Sequence, residues 1–161
     1  MKYENETARA SDLGRELVEA VRMIGPIDGL IPVPLHPRKL RARGYNQSEL
    51  LAHSVSSTLG IPLTPIIQRT RHTEAQMTLG AEARRRNVAH AFACLDTDSV
   101  HPAARYALVD DVRTTGSTLA ACAEALAAAG AQHIAVVTLA VDLDGARLEE
   151  LRRMGLLRDP R

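Results

Sequence analysis

Residues Tyr106 to Thr118, YALVDDVRTTGST, place two adjacent aspartates directly after an apolar run and before a run of small hydroxyl residues. Two neighbouring carboxylates repel each other unless hydrogen-bond donors or cations lie opposite them. Asp110 and Asp111 could accept hydrogen bonds from the hydroxyl groups of a sugar, and they could hold Mg²⁺ through water rather than as direct ligands. The stretch therefore predicts a ligand site at the end of a buried strand.

The residues after the acid pair have the composition of a phosphate-binding loop. Gly116 allows a tight turn and a close approach of the backbone to a ligand. Hydroxyl groups come from Thr114, Thr115, Ser117 and Thr118. The first backbone amides of the helix that follows carry the positive end of its dipole and favour a phosphate group. An acceptor pair for a diol beside a phosphate site predicts a ribose 5-phosphate ligand.

Three other interpretations of this stretch can be compared with a ribose 5-phosphate site. The simplest is that the acids form a solvated strand end and that the hydroxyl residues only cap a helix. A receiver domain also has paired acids at a strand end, but there they follow the first strand, whereas here they lie two-thirds of the way along the chain. A Walker loop needs Gly and Lys at a fixed spacing that this sequence lacks.

The composition favours a single domain. The chain has 161 residues, of which 45% are hydrophobic, enough to form a core. A formal net charge of +1 argues against a domain that attracts nucleic acid through a large overall positive charge. Cys94 and Cys122 suggest a reducing compartment, and the six histidines are too scattered to predict a zinc site. We expect a cytoplasmic protein without a membrane span, because no apolar run is long enough and no signal-peptide pattern is present.

Apolar periodicity predicts helices and strands that alternate along the chain. The predicted helices cover 11–25, 46–60, 117–130 and 144–155, and the predicted strands cover 28–35, 61–68, 88–95, 104–111 and 133–141. HPRKLRARGY is expected to form a basic loop, and Asn46 with Glu49 resembles a capping box. The alternation predicts an α/β fold with a parallel β-sheet and helices on both faces. Ligands of such sheets bind beyond the carboxyl ends of the strands.

The segment 106–118 resembles the 5-phosphoribosyl pyrophosphate (PRPP) signature of type I phosphoribosyltransferases at all 13 positions. In that family the two acids bind the ribose 2- and 3-hydroxyls and the following loop binds the 5-phosphate. The resemblance implies the same roles for Asp110, Asp111 and the loop from Arg113 to Thr118, in a type I phosphoribosyltransferase fold with a flexible hood loop. It also implies displacement at ribose C1, in which Mg²⁺ and arginines neutralise the departing pyrophosphate. The two acids could then also be catalytic, by stabilising positive charge on the sugar.

Two further segments, IPVPLHPRKLRARGYNQSELLA and TEAQMTLGAEARRRNVAHAF, resemble the competence-protein-F-like (ComF) group of phosphoribosyltransferase homologues. The matched positions of the second segment are Thr73, Gln76, Leu79, Arg84, Asn87, Val88 and Phe92. Members of this group usually begin with a four-cysteine zinc module, which this sequence lacks. Its opening MKYENE is similar to the segment after that module. We expect one domain over 1–161, with its best-matched core at 27–141 and a helical tail at 142–161 that docks on the domain or in a homodimer.

The resemblance also assigns the basic and amide residues around the first strand and the hood. Arg38, Lys39, Arg41 and Arg43 follow the first strand, where the resembled fold binds pyrophosphate; a solvated basic loop is the alternative. The stretch 69–87 corresponds to the hood, in which Gln76 and Arg84 are the predicted contacts. The predicted contacts of an acceptor molecule are Tyr45, Asn46 and Gln47. Structural packing is an equally good interpretation of Tyr45.

Three functions fit these residues. The first is a PRPP-dependent transferase with an unassigned acceptor. The second is a PRPP- or nucleotide-sensing adaptor, because the ComF group is linked to DNA uptake and to a helicase-like partner. The third is binding of single-stranded DNA through 38–43 and 84–86, which the near-zero net charge and the scarcity of aromatic residues disfavour.

Overall fold

The computed structural model describes residues 14–70, 91–113 and 115–141. The elements in these ranges are α1 (14–24), β1 (Gly29–Pro32), α2 (Pro37–Arg43), α3 (Gln47–Leu59), β2 (Ile67–Arg69), β3 (Phe92–Cys94), β4 (Arg105–Arg113), α4 (Ser117–Ala128) and β5 (His133–Val141). No helix within these ranges is both long and apolar enough to cross a lipid bilayer. The predicted last helix and the tail 142–161 lie outside the described residues.

A parallel three-stranded sheet in the order β1–β4–β5 forms the centre of the fold. Leu30 of β1 lies opposite Ala107 of β4, and Ala107 lies opposite Ala135 of β5. Leu30 also forms an isolated parallel bridge with Leu63 on the outer side of β1. β4 is therefore the central strand, and it is buried from Tyr106 through Val109 before its acids begin.

Successive β4 residues pack into two separate apolar clusters, one on each face of the sheet, as the period-2 geometry of a strand requires. Tyr106 and Leu108 pack in one cluster with Leu126 of α4. Ala107 and Val109 pack in the other with side chains of α1 and α3, including Leu17, Val21, Leu51 and Val55. The predicted α/β fold, a parallel sheet with helices on both faces, is confirmed.

Within the described residues, the segments predicted as strands at 61–68 and 88–95 form strands only at Ile67–Arg69 and Phe92–Cys94, apart from the single parallel bridge between Leu63 and Leu30. β2 and β3 pair antiparallel in a separate two-stranded sheet, with Ile67 opposite Cys94. Ile67 and Phe92 pack into the α4-side cluster, so this small sheet covers α4 instead of extending the central sheet. A short apolar run does not specify which strand will pair with it; strands are confirmed in both segments, but their expected place in the parallel sheet is wrong.

The basic loop predicted at HPRKLRARGY is also wrong, because seven of its residues form α2. His36 accepts a hydrogen bond at Nδ1 from the Arg38 amide, and Pro37 occupies the first turn, where its missing N–H costs nothing. Gly44 ends the helix at φ 88°, and its amide donates to the Leu40 carbonyl. α2 has no buried residue, so no apolar stripe reveals it in the sequence.

Candidate functional site

The acid pair lies where β4 extends beyond its neighbour β1. Val33 donates the last backbone hydrogen bond from the β1 side to the Val109 carbonyl, at 2.9 Å. By strand alternation the next amide on that side belongs to Asp111, and it donates to Oδ1 of Asp110 at 3.0 Å instead. The Val112 amide likewise donates to Oδ1 of Asp111 at 2.8 Å. The Oδ1 atom of each carboxylate thus accepts a hydrogen bond from a backbone amide.

The start of α3 connects the end of β1 to the acid pair. Asn46 is buried; its side-chain amide donates to the Val33 carbonyl at 3.0 Å, and its Oδ1 caps α3 by accepting from the Ser48 amide at 3.2 Å. The buried Ser48 hydroxyl in turn donates to Oδ1 of Asp110 at 2.8 Å. The predicted N-cap role of Asn46 is confirmed, but its Oδ1 accepts from the Ser48 amide and not from that of Glu49, so the full capping box is not formed. Both functional groups of the Asn46 side chain are used inside the protein, and its contact with an acceptor stays a prediction.

Asp110 has a perturbed acidity. Burial raises the pKa of its carboxyl to about 6, and the neighbouring charge of Asp111 acts in the same direction. The hydrogen bonds from Ser48 and from the Asp111 amide oppose the rise, because they stabilise the ionised form. Asp110 is consequently ionised at neutral pH. Because its carboxylate is largely shielded from water, it would bind a hydrogen-bond donor of a ligand strongly.

This pKa predicts an unusual pH dependence of stability. Asp110 binds its proton more tightly in the folded chain than in the unfolded chain, where an aspartate titrates near about 3.9. Its stabilising contribution is complete below about pH 4 and is lost as the pH rises through about 6. Asp110→Asn has no carboxyl group to titrate and so does not lose this contribution. The free energy of unfolding of the variant relative to that of the wild type should therefore rise by about 2–3 kcal/mol between pH 4 and pH 7. Urea unfolding of both proteins across that range measures the gain, and a difference that is constant with pH contradicts it.

The loop between β4 and α4 follows the acids directly along the chain and contains hydroxyl groups and backbone amides. The hydroxyls of Thr115 and Ser117 lie 2.8 Å apart, and Gly116 adopts φ 74° at the N-cap without contributing a side-chain cap. A Cβ atom on Gly116 would come within 3.4 Å of Nε of Arg113, whose side chain packs over the turn. The start of α4 therefore has no cap from its N-cap residue, and the Ser117 amide donates to Oγ1 of Thr115 at 3.4 Å. Thr118 is half-buried in the first turn of α4, while Thr114 lies outside the described residues.

α2 brings the predicted pyrophosphate residues to the same edge of the sheet, because it begins shortly after β1 ends. Its basic side chains are exposed or partly exposed, and it has no acid in its first turn. Arg43 donates a hydrogen bond to Oε1 of Gln47, which brings two predicted site residues together. Tyr45 is half-buried between them. The basic residues on this helix are Arg38, Lys39, Arg41 and Arg43.

Some predictions cannot be compared with the structure, and some contacts were missed from the sequence. Gln76, Arg84 and the rest of the predicted hood from 71 to 87 lie outside the described residues. Ser48 was not identified, because nothing in NQSEL indicates that this serine meets an aspartate 62 residues away. Arg69, at the edge of the predicted hood, lies over the ring of Phe92, 5.3 Å from its centre. Its guanidinium is partly buried on the α4 side of the fold, and burial lowers its pKa.

Solved structures identify the class of fold. The chain superposes on glutamine PRPP amidotransferase from B. subtilis, solved with ADP and GMP, with a TM-score of 0.55 and 21% identity over 81% of this chain and 26% of that one. It superposes on TT1426 from Thermus thermophilus with a TM-score of 0.51 and 15% identity over 88% of this chain and 87% of that one. The parallel sheet, the helices on its two faces and these neighbours define a phosphoribosyltransferase-type fold. No protein-family model matches the chain.

Proteins related in sequence place the chain more narrowly among proteins with this fold. The chain is 39% identical over 146 residues to Competence protein F of Haemophilus influenzae, covering 86% of this chain and 64% of that protein. It is 39% identical over 145 residues to DNA utilization protein YhgH of Escherichia coli O157:H7, covering 84% of this chain and 62% of that protein. The chain is therefore a homologue of Competence protein F and of YhgH over the residues that they share. It spans slightly less than two thirds of the length of these relatives.

Proposed function

We propose that this protein binds PRPP together with Mg²⁺ at the carboxyl end of β4. The proposal rests on one observation: a surface of hydrogen-bond acceptors is followed directly along the chain by a surface of hydrogen-bond donors. One consists of Asp110 and Asp111, each with Oδ1 engaged on the backbone. The other is the start of α4, which Gly116 opens without a side-chain cap. The acids would accept from the ribose hydroxyls while the amides and hydroxyls of 115–118 would bind the 5-phosphate.

Mg²⁺ fits this site only as a companion of the ligand. Among the described residues there is no group of three or more His, Cys, Asp or Glu side chains that could hold a metal ion by themselves. The acid pair offers carboxylate oxygens, which suit Mg²⁺ that retains part of its water shell and is otherwise held by phosphates. When bound, Mg²⁺ would supply neutralisation of the pyrophosphate charge.

The second part of the proposal is transfer of the phosphoribosyl group to an acceptor that is still to be identified. The exposed basic residues of α2 would attract and orient the pyrophosphate, since guanidinium groups bind phosphate oxygens in pairs. Tyr45 lies between α2 and α3, and Gln47 is the first residue of α3, where an acceptor could approach. Asp110 and Asp111 would stabilise positive charge that develops on the ribose ring.

The names of the relatives support a second candidate. They refer to competence and DNA utilization and not to a transfer reaction. We therefore also propose a role in DNA uptake or DNA use, in which PRPP binding regulates contact with a helicase-like partner or with single-stranded DNA. Salt dependence distinguishes direct DNA binding, because phosphate contacts made by α2 would be lost steeply as salt rises.

Calorimetric titration of the wild-type protein tests the central proposal. Mg²⁺ and PRPP together should bind in the micromolar range. Ribose 5-phosphate alone should bind more weakly, and Mg²⁺ with pyrophosphate should bind without it, because each occupies one part of the site. Absence of binding by a folded wild type for all three ligands contradicts the proposal. Binding of Mg²⁺·PRPP without product when candidate acceptors are added favours the adaptor over the transferase.

A further inference from the structure

Ser48 has no place in the predicted set of site residues, yet its hydroxyl reaches the acid pair. The donor–acceptor distance to Oδ1 of Asp110 is 2.8 Å, and Ser48 is only 4% exposed. The backbone amide of Asp111 donates to the same oxygen at 3.0 Å. One atom of the Asp110 carboxylate thus receives two hydrogen bonds from the protein.

We propose that Ser48 is a positioning residue that fixes the rotation of the Asp110 carboxylate and reserves its Oδ2 atom for a ribose hydroxyl. A carboxylate with one oxygen anchored twice cannot turn freely about its terminal bond, so it presents its other oxygen in a fixed direction. The inference rests on the proposed function for the identity of the ligand, although the anchoring itself does not.

The anchor is itself held rigidly. The Ser48 amide donates to Oδ1 of Asn46, and the Asn46 side chain donates to the Val33 carbonyl at the end of β1. A continuous set of hydrogen bonds therefore runs from β1 through the first turn of α3 to the acid on β4. Asp111 completes the pattern, since its own Oδ1 accepts from the Val112 amide and its Oδ2 has the corresponding freedom.

This arrangement gives the two aspartates one presented oxygen each, which is the number that a pair of neighbouring hydroxyls requires. A site in which Asp110 could rotate would lose part of the binding free energy to ordering that side chain when the ligand arrives. Ser48 removes that cost in advance. Its hydrogen bond also favours the ionised form of Asp110, which is the form that accepts from a hydroxyl.

The test compares Ser48→Ala with Ser48→Thr, which retains the hydroxyl, and with Ser57→Ala on the exposed side of α3 as a matched control. Calorimetry is performed with ribose 5-phosphate and with 2,3-dideoxyribose 5-phosphate, which lacks the diol. Ser48→Ala should weaken ribose 5-phosphate by about tenfold and leave the dideoxy ligand unchanged, because a hydrogen bond to a charged group contributes about this much. Ser48→Thr should restore most of the loss, and Ser57→Ala should bind as the wild type does.

A measurement without ligand separates the two proposals. The carbon resonance of the Asp110 carboxyl is followed by NMR as the pH is raised, and its midpoint should move upward in Ser48→Ala and return in Ser48→Thr. An unchanged midpoint, or an equal loss for both sugars, overturns the role of Ser48. If the midpoint moves but the wild type binds no sugar phosphate, the anchor exists and the proposed ligand is wrong.

Discussion

The double variant Asp110→Asn/Asp111→Asn is expected to bind Mg²⁺·PRPP roughly 100-fold or more weakly than the wild type. Asparagine matches aspartate in shape but removes the negative charge, so each hydrogen bond from a ribose hydroxyl loses its charge assistance. The partial burial of Asp110 makes this loss large, because solvent screens the carboxylate only in part. Isothermal calorimetry of both proteins in the same buffer measures the change.

The matched control is Asp98→Asn/Glu124→Gln, which makes the same change in net charge at two exposed positions. It should bind Mg²⁺·PRPP as the wild type does. The acid-pair variant should also remain folded, and at neutral pH its Asp110→Asn component removes a desolvated charge. Equal weakening in both variants would show that general electrostatics, and not this acid pair, governs binding. Retained affinity in the acid-pair variant would place the sugar elsewhere.

Asn46→Ala is expected to lower the free energy of unfolding by about 3 kcal/mol, because it removes two structural interactions at once. The variant loses the N-cap of α3, which typically contributes about 1 kcal/mol. It also leaves the buried Val33 carbonyl without the donor that Asn46 supplies, and such a loss costs about 1–3 kcal/mol. Urea or thermal unfolding of the ligand-free protein measures the effect.

Gln47→Ala is the control for this change, since it removes a neighbouring amide side chain that is only half-buried and pairs with the exposed Arg43. Its cost should stay below about 1 kcal/mol. The comparison separates two roles for Asn46. If its main role were contact with an acceptor, Asn46→Ala would leave stability close to that of the wild type, and the hydrogen bonds to Val33 and Ser48 would have to be unimportant.

The centre of the fold could be predicted from the sequence because its signals are local and strong. β4 is a run of apolar residues that ends in charge, and β5 matches its predicted bounds, His133–Val141. α2 shows the opposite case. Pro37 and Gly44 mark its ends correctly, but the helix buries no side chain, so a search for apolar periodicity could not find it. Capping residues were the better guide there.

The candidate site was predictable only where it is contiguous in sequence. The acid pair and the loop after it are consecutive, so their residue types alone predict both a diol acceptor and a phosphate site. The Ser48–Asp110 hydrogen bond joins residues from α3 and β4 that become neighbours only when both elements pack beside the end of β1. The antiparallel pairing of β2 with β3 depends in the same way on packing against α4, which no local pattern encodes.

The most direct measurement of the central claim is a two-dimensional ¹⁵N–¹H NMR titration of the wild-type protein with ribose 5-phosphate. The account predicts that the largest shifts occur at the amides of Asp111, Ser117 and Thr118, where the diol and the phosphate would bind. Amides at the opposite edge of the sheet, such as those of Gln132 and His133, should remain unchanged. Saturable shifts that cluster at that opposite edge, or shifts absent from the start of α4, would contradict a ribose 5-phosphate site at the end of β4.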